Sequence, residues 1–187
     1  MRYLPLLLLF LSIIACKEPL PRKPITVKSG ISMQNSIERT KKILQLENDA
    51  ITLYIKNDST NTYLNSNKGF KYCYIKKDSI NTYRPRYGDG LLYTYSVSDI
   101  HNNTVYTTTE IGDKSYYIDQ ESKVIEGFRQ GLKLIKIGEE MKFIFPSQLA
   151  YGYRGDGKKI NANLPIICTV TLKDLVTKES LNRTLNK

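Results

Sequence analysis

The spacing of apolar residues along this chain changes character three times. Leu4 to Ile14 form an apolar run, interrupted only by Ser12, behind the basic Arg2. From Ser32 to Ile55 the spacing becomes three, four and seven. Ile37, Leu44, Ile51 and Tyr54 or Ile55 then share one face, with lysines and acids opposite, which predicts an amphipathic helix with Ser32 or Ser36 as its N-cap. Asn57 to Lys68 is polar, rich in turn formers and without period, so it reads as a loop. Beyond it alternation takes over. Strands are predicted over Phe70–Lys76, Gly90–Val97, Thr104–Thr109, Ser115–Asp119, Glu140–Phe145 and Pro165–Asp174, in which tyrosine, threonine and isoleucine suit a half-buried pleated surface.

Helical spacing returns once in that half, over Glu126–Ile135. Ile125, Phe128, Leu132 and Ile135 fall three or four apart and give one apolar face, while Gly127 and Gly131 permit close backbone approach. Gly138 suits the exit from the helix, and Pro146, lacking a donor, ends the strand before it. These elements predict an α+β fold: a bent antiparallel sheet wrapped on a short helix, preceded by a long amphipathic helix.

The opening run is shorter than the roughly twenty apolar residues that a bilayer span needs. It reads as a processing segment, Met1 to Ala15, and its ending Ile13-Ile14-Ala15-Cys16 resembles a bacterial lipobox, with Cys16 as the acylated residue. An ordinary secretory peptide with an incidental cysteine, or a short uncleaved anchor, is the competing reading. Lys17 to Gly30 holds three prolines, several charges and little to bury, as a tether between membrane and domain would. The expected layout is therefore a leader over 1–15, a tether over 16–31, a helix-and-strand extension over 32–86, a main domain over 87–175 and a tail over 176–187.

Composition removes several chemistries. With Cys16 set aside, Cys73 and Cys168 remain, each in an alternating apolar run, so that buried free thiols are expected over a disulfide. There is no Cys-x-x-Cys pair and only one histidine, His101, so zinc sites, Cys-His pairs and Ser-His-Asp triads are unavailable or nearly so. The net charge of +10 is spread in scattered lysines and arginines, without a basic block or an aromatic-interleaved stripe. Nucleic acid is not an expected partner. Anionic lipid headgroups beside an acyl anchor are a better one.

The run from Val124 to Leu175 carries four motifs in tight order: V-I-E-G-F, G-L-K-L-I-K-I-G, L-A-Y-G and I-N-A-N-L-P-I. Together they resemble the second half of FKBP-type peptidyl-prolyl cis-trans isomerases, with the resemblance extending over about Tyr87 to Leu175. It implies a bent five-stranded sheet around a short helix, a pocket between helix and sheet, rotation about X-Pro bonds as the activity, and neither cofactor nor metal. Position by position, it implies Phe128 as the pocket floor, where the family usually has tryptophan, with Val124 and Ile125 as walls and the Ile125 N–H as donor to a substrate carbonyl. Tyr151 matches the loop tyrosine that hydrogen-bonds substrate, and Tyr95 the tyrosine of the first long strand, with Val97 where a glycine would stand. Ile160 matches the pocket isoleucine, and Asn161 replaces the proline after it.

Other positions depart from the family pattern. Its phenylalanine-aspartate pair falls on Tyr106-Thr107, so the aspartate is absent. The closing-strand phenylalanine falls on Cys168. A further pocket aromatic is either Tyr116 or Tyr117.

The layout as a whole is similar to the gliding-motility-associated isomerase lipoproteins of gliding bacteria. It implies a lipid-anchored isomerase or folding helper in the cell envelope, with X-Pro-containing exported proteins as partners. The alternative is a catalytically weak binding or scaffold module within an envelope motility or secretion assembly. A structural lipoprotein whose pocket is filled by its own side chains is a third reading.

Overall fold

The computed structural model describes residues 29–120 and 124–177. The expected leader, Cys16, most of the tether and the tail from 178 lie outside the described residues. The first long helix, α1, runs Ser29–Asn57, beginning inside the expected tether. A compact unit begins at Arg39 and a separate one ends at Glu38, so α1 contributes to both.

Within the compact unit, seven strands form one antiparallel sheet: β1 Leu64–Asn65, β2 Lys71–Lys76, β3 Gly90–Ser98, β4 Thr104–Tyr106, β5 Lys114–Tyr117, β6 Glu140–Phe145 and β7 Ile166–Val176. Their order is β1-β2-β6-β7-β3-β4, with β5 also pairing to β3. The strand ahead of residue 87 is thus part of the same sheet, since β2 pairs with β6 through Tyr72↔Phe143 and Cys73↔Lys142. The loop expected over Asn57–Lys68 contains β1, turned back on β2 through the Ser66 N–H to Phe70 carbonyl bond of 2.9 Å.

Period-two alternation divides the sheet into two faces. On the inner face, Tyr93, Val97, Tyr116, Met141, Phe143, Phe145, Cys168 and Val170 join Phe70, Leu132 and Ile135 in the main core. On the outer face, Ile51 and Tyr54 of α1 cover Ile144 and Ile167. Within the compact unit, the predicted stripe of α1 is buried at Ile51 and Tyr54, where it meets this face. Cys73 stands opposite Lys142 and Cys168 opposite Phe143, so the two cysteines lie on opposite faces, buried and free.

Two expectations about elements are corrected. The strand over Thr104–Thr109 stops at Tyr106, because Thr107 caps a short helix, α2, Thr108–Ile111. The Thr107 hydroxyl accepts from the Glu110 N–H while the Glu110 carboxylate accepts from the Thr107 N–H, a reciprocal capping box. The inner helix, α3, covers only Glu126–Gly131, shorter than the predicted Glu126–Ile135. The chain then turns through Leu132 to Gly138, which takes a φ of +78°. Leu132 and Ile135 are nevertheless fully buried, as their spacing predicted.

That turn is held by Glu139. Its fully buried carboxylate accepts from the Asp78 N–H at 3.2 Å and the Lys136 N–H at 2.9 Å, joining the loop after β2 to the start of β6. The close seating of α3 is set by Gly127. A Cβ there would stand 2.5 Å from a ring carbon of Phe145, so no other residue lets the helix approach the sheet this far.

Candidate active site

Phe128 projects from the middle of α3 into a ring of aromatics. Its ring stands 4.7 Å from that of Tyr95 at 63°, 5.5 Å from Phe145 and 6.1 Å from Tyr93. Edge-to-face pairs of this kind add specific attraction to simple area burial. Above them is a cleft of about 270 Å3 lined by Tyr93, Tyr95, Lys114, Ser115, Val124, Ile125, Phe128 and Tyr151. A second hollow, about 320 Å3, continues past Tyr95, Lys114 and Tyr151 to Val97, Tyr106, Glu110 and Asp156.

Three residues with donors to offer line this space. Ile125 is the N-cap of α3, with φ −57° and ψ 150°, and its N–H bonds to no other described residue. The hydroxyls of Tyr95 and Tyr151 likewise have no partner among the described residues. Burial raises both phenols above the ordinary tyrosine value, so each remains an O–H donor at neutral pH.

The loop after Tyr151 is tied down by Asp156. One carboxylate oxygen accepts the N–H groups of Lys158 and Ile160, both at 2.8 Å, and the other accepts the Tyr106 hydroxyl at 2.5 Å. Burial alone would raise this carboxyl, but the three hydrogen bonds outweigh it and hold it below the usual range. The bond to Asp156 in turn raises the Tyr106 phenol. Gly155, at φ +67°, lets the loop fold back on itself; a Cβ there would meet the Ile160 carbonyl at 2.3 Å. Lys159 bridges to Glu110 at 2.7 Å and lies over the Tyr106 ring, closing the far end.

Residues 82–173 match the model of the FKBP-type peptidyl-prolyl cis-trans isomerase family. Residues 82–173 are thus an FKBP-type domain. A probable FKBP-type isomerase FkpA of Neisseria meningitidis serogroup B is 39% identical over 59 residues, 32% of this chain and 22% of that protein. FK506-binding protein 2 of Dictyostelium discoideum is 31% identical over 85 residues, 46% of this chain and 64% of that protein. The chain thus spans under a quarter of the length of its Neisseria relative. Two crystal structures share the fold. A peptidyl-prolyl isomerase of Pseudomonas syringae pv. tomato has a TM-score of 0.59 at 16% identity, covering 74% of this chain and 96% of that one. FkpA of Escherichia coli has a TM-score of 0.57 at 19% identity, covering 94% and 82%.

In this FKBP-type domain, Val124, Ile125, Phe128, Tyr95 and Tyr151 meet at one cleft, and Tyr106 lines its continuation. Three expected pocket residues lie elsewhere. Ile160 and Cys168 are buried in the core and line neither hollow; Cys168 is paired across the sheet with Val97 and Phe143, where a larger side chain has no room to reach the surface. Tyr117 is also displaced, because neighbouring residues of a strand point to opposite faces. Tyr116 fills the core, with its hydroxyl oxygen accepting the Asp119 N–H, while Tyr117 lies outside against Gly90.

Among the lining residues that the sequence reading passed over are Lys114, Ser115 and Asp156. Lys114 and Ser115 enter from β5, adjacent to Tyr116, with no motif of their own. Asp156 was signalled by Gly155-Asp156-Gly157, a strong turn sequence. Its carboxylate approaches Tyr106 from the loop, whereas the family's aspartate would have followed Tyr106 in the chain.

Proposed function

We propose that this chain is a peptidyl-prolyl cis-trans isomerase that turns X-Pro bonds in exported proteins, held at the envelope by a lipid on Cys16. The observation that carries the reading is the Ile125 N–H, without a partner among the described residues, in a cleft shared with the rings of Phe128, Tyr95 and Tyr151. Amide resonance sets a barrier of about 18–20 kcal/mol to rotation. The twisted amide is less charge-separated than the planar one, so a cleft that strips water from the proline linkage favours the twisted form. The Ile125 N–H and Tyr151 O–H then hold the substrate's carbonyls while the proline ring rests on Phe128. No bond breaks, so no acid, base or nucleophile is required.

The apolar run Leu4–Ile14 ending at Cys16 supports the anchored setting, in which clients are proteins emerging into the envelope, including those of motility or secretion assemblies. The test is a protease-coupled rate on Xaa-Pro tetrapeptides. The wild type is expected to accelerate isomerisation, with Tyr151→Phe lowering kcat/KM two- to tenfold, the range of one net hydrogen bond of about 0.5–1.5 kcal/mol. Rates equal to the uncatalysed background for wild type and variant alike would leave a binding module that holds proline segments without turning them.

A further inference from the structure

Tyr151 is a wall shared by two different spaces. On one side is the cleft over Phe128. On the other is a groove of about 660 Å3, between Ile43 and Leu44 of α1 and the segment holding Gln148, Ala150 and Tyr151. Both sides of this groove belong to the compact unit that begins at Arg39. Its lining is largely apolar, and Gln148 stands exposed at its rim.

Glu47 lies one helical turn beyond Ile43 and Leu44. Its side chain is buried, at 6% exposure, and one oxygen accepts the N–H of Ser147, itself a groove residue, at 3.3 Å. The other oxygen, Oε1, is buried without a partner among the described residues. A buried carboxylate oxygen left in that state is costly unless a donor reaches it. Glu47 is not itself part of the groove's lining and braces Ser147 from beneath, while the largely apolar trough, sharing its Tyr151 wall with the cleft, fits a bulky aliphatic side chain of the same polypeptide segment.

We infer that this groove is a second subsite for the client chain, which crosses over Tyr151 with its proline in the cleft and an aliphatic residue in the groove. The inference rests on the isomerase reading for the occupant of the first site. An extended chain advances ~3.4 Å per residue, so about three residues carry it past the Tyr151 side chain. Clients are therefore selected by an aliphatic residue about three positions from the proline, a preference that a tetrapeptide does not register.

The experiment uses the full chain and two fluorescein-labelled twelve-residue peptides with a single proline, one with leucine three residues away and one with alanine there. Fluorescence anisotropy is expected to give about tenfold tighter binding of the leucine peptide, as burial of one aliphatic side chain implies. Gln148→Trp, which fills the groove from its exposed rim, and Leu44→Ala, which removes part of its wall, should each cut that preference to twofold or less. Both should keep the wild-type kcat/KM on Xaa-Pro tetrapeptides within twofold. Equal affinity of the wild type for the two peptides, or a tenfold preference that survives both substitutions, overturns the subsite. A wild type that shows the leucine preference without accelerating tetrapeptide isomerisation keeps the groove and removes the isomerase.

Discussion

The rings of Phe128 and Tyr95 meet edge to face, 4.7 Å apart at 63°, and so tie the helix that bears the cleft floor to the longest-range pairing of the sheet. Removing one ring affects both fold and site. Phe128→Ala is expected to lower stability by about 3–5 kcal/mol, as for other buried phenylalanines, and to abolish isomerisation. Phe128→Leu keeps more of the volume, and should lose activity while unfolding closer to the wild type in urea.

Ile125 offers a cleaner separation of binding from folding. Its φ of −57° is one that proline adopts, and its N–H serves no other described residue. Ile125→Pro should therefore delete the donor with little loss of stability and lower kcat/KM at least tenfold, whereas Ile125→Ala, which keeps the N–H, should retain most of the rate. Circular-dichroism melts alongside peptide kinetics distinguish the two; equal activities for both variants would remove the N–H from the mechanism.

Gly127 predicts a steric effect with no chemistry in it. A methyl placed 2.5 Å from the Phe145 ring must push α3 off the sheet, and overpacking of this kind costs typically about 1–3 kcal/mol. Gly127→Ala should lower the urea midpoint and, by tilting the floor of the cleft, raise KM.

Acid should loosen the loop beyond Tyr151. The carboxyls of Asp156 and Glu110 are both depressed in the folded chain, Glu110 to about 2 by its Lys159 partner and the Thr107 N–H. A depressed carboxyl contributes stability that is fully present above its unfolded value, near 4, and is lost as the pH falls through the folded one. The Tyr106 and Ile160 signals in NMR spectra should hold steady from pH 7 to about 5 and then shift below pH 4. Asp156→Asn should show the loosened loop already at pH 7 and a smaller change on acidification.

How far the sequence foretold this molecule depends on which signal each part carried. Alternation located β2, β3, β6 and β7 to within two residues, because buried faces leave a period in the sequence. The strand predicted over Thr104–Thr109 ran too far: threonine favours strands, but Thr107, three residues ahead of Glu110, also caps a helix, and here the cap prevails. The cleft residues on α3 and at Tyr151 were legible as a motif. Lys114 and Asp156 were not, since their place in the cleft follows from pairing between distant segments, through β5 on β3 and through the Tyr106–Asp156 bond.

Cys73 and Cys168 have the full thickness of the sheet between them, and burial raises the pKa of both thiols and keeps them protonated. Neither can cross-link with the other or exchange readily with a passing disulfide. The unfolding midpoint of the domain should accordingly be the same in dithiothreitol as in oxidised glutathione. In the isomerase proposed above, thiols kept in this way would leave a bound chain's own bridges to be shuffled without taking part in the shuffling.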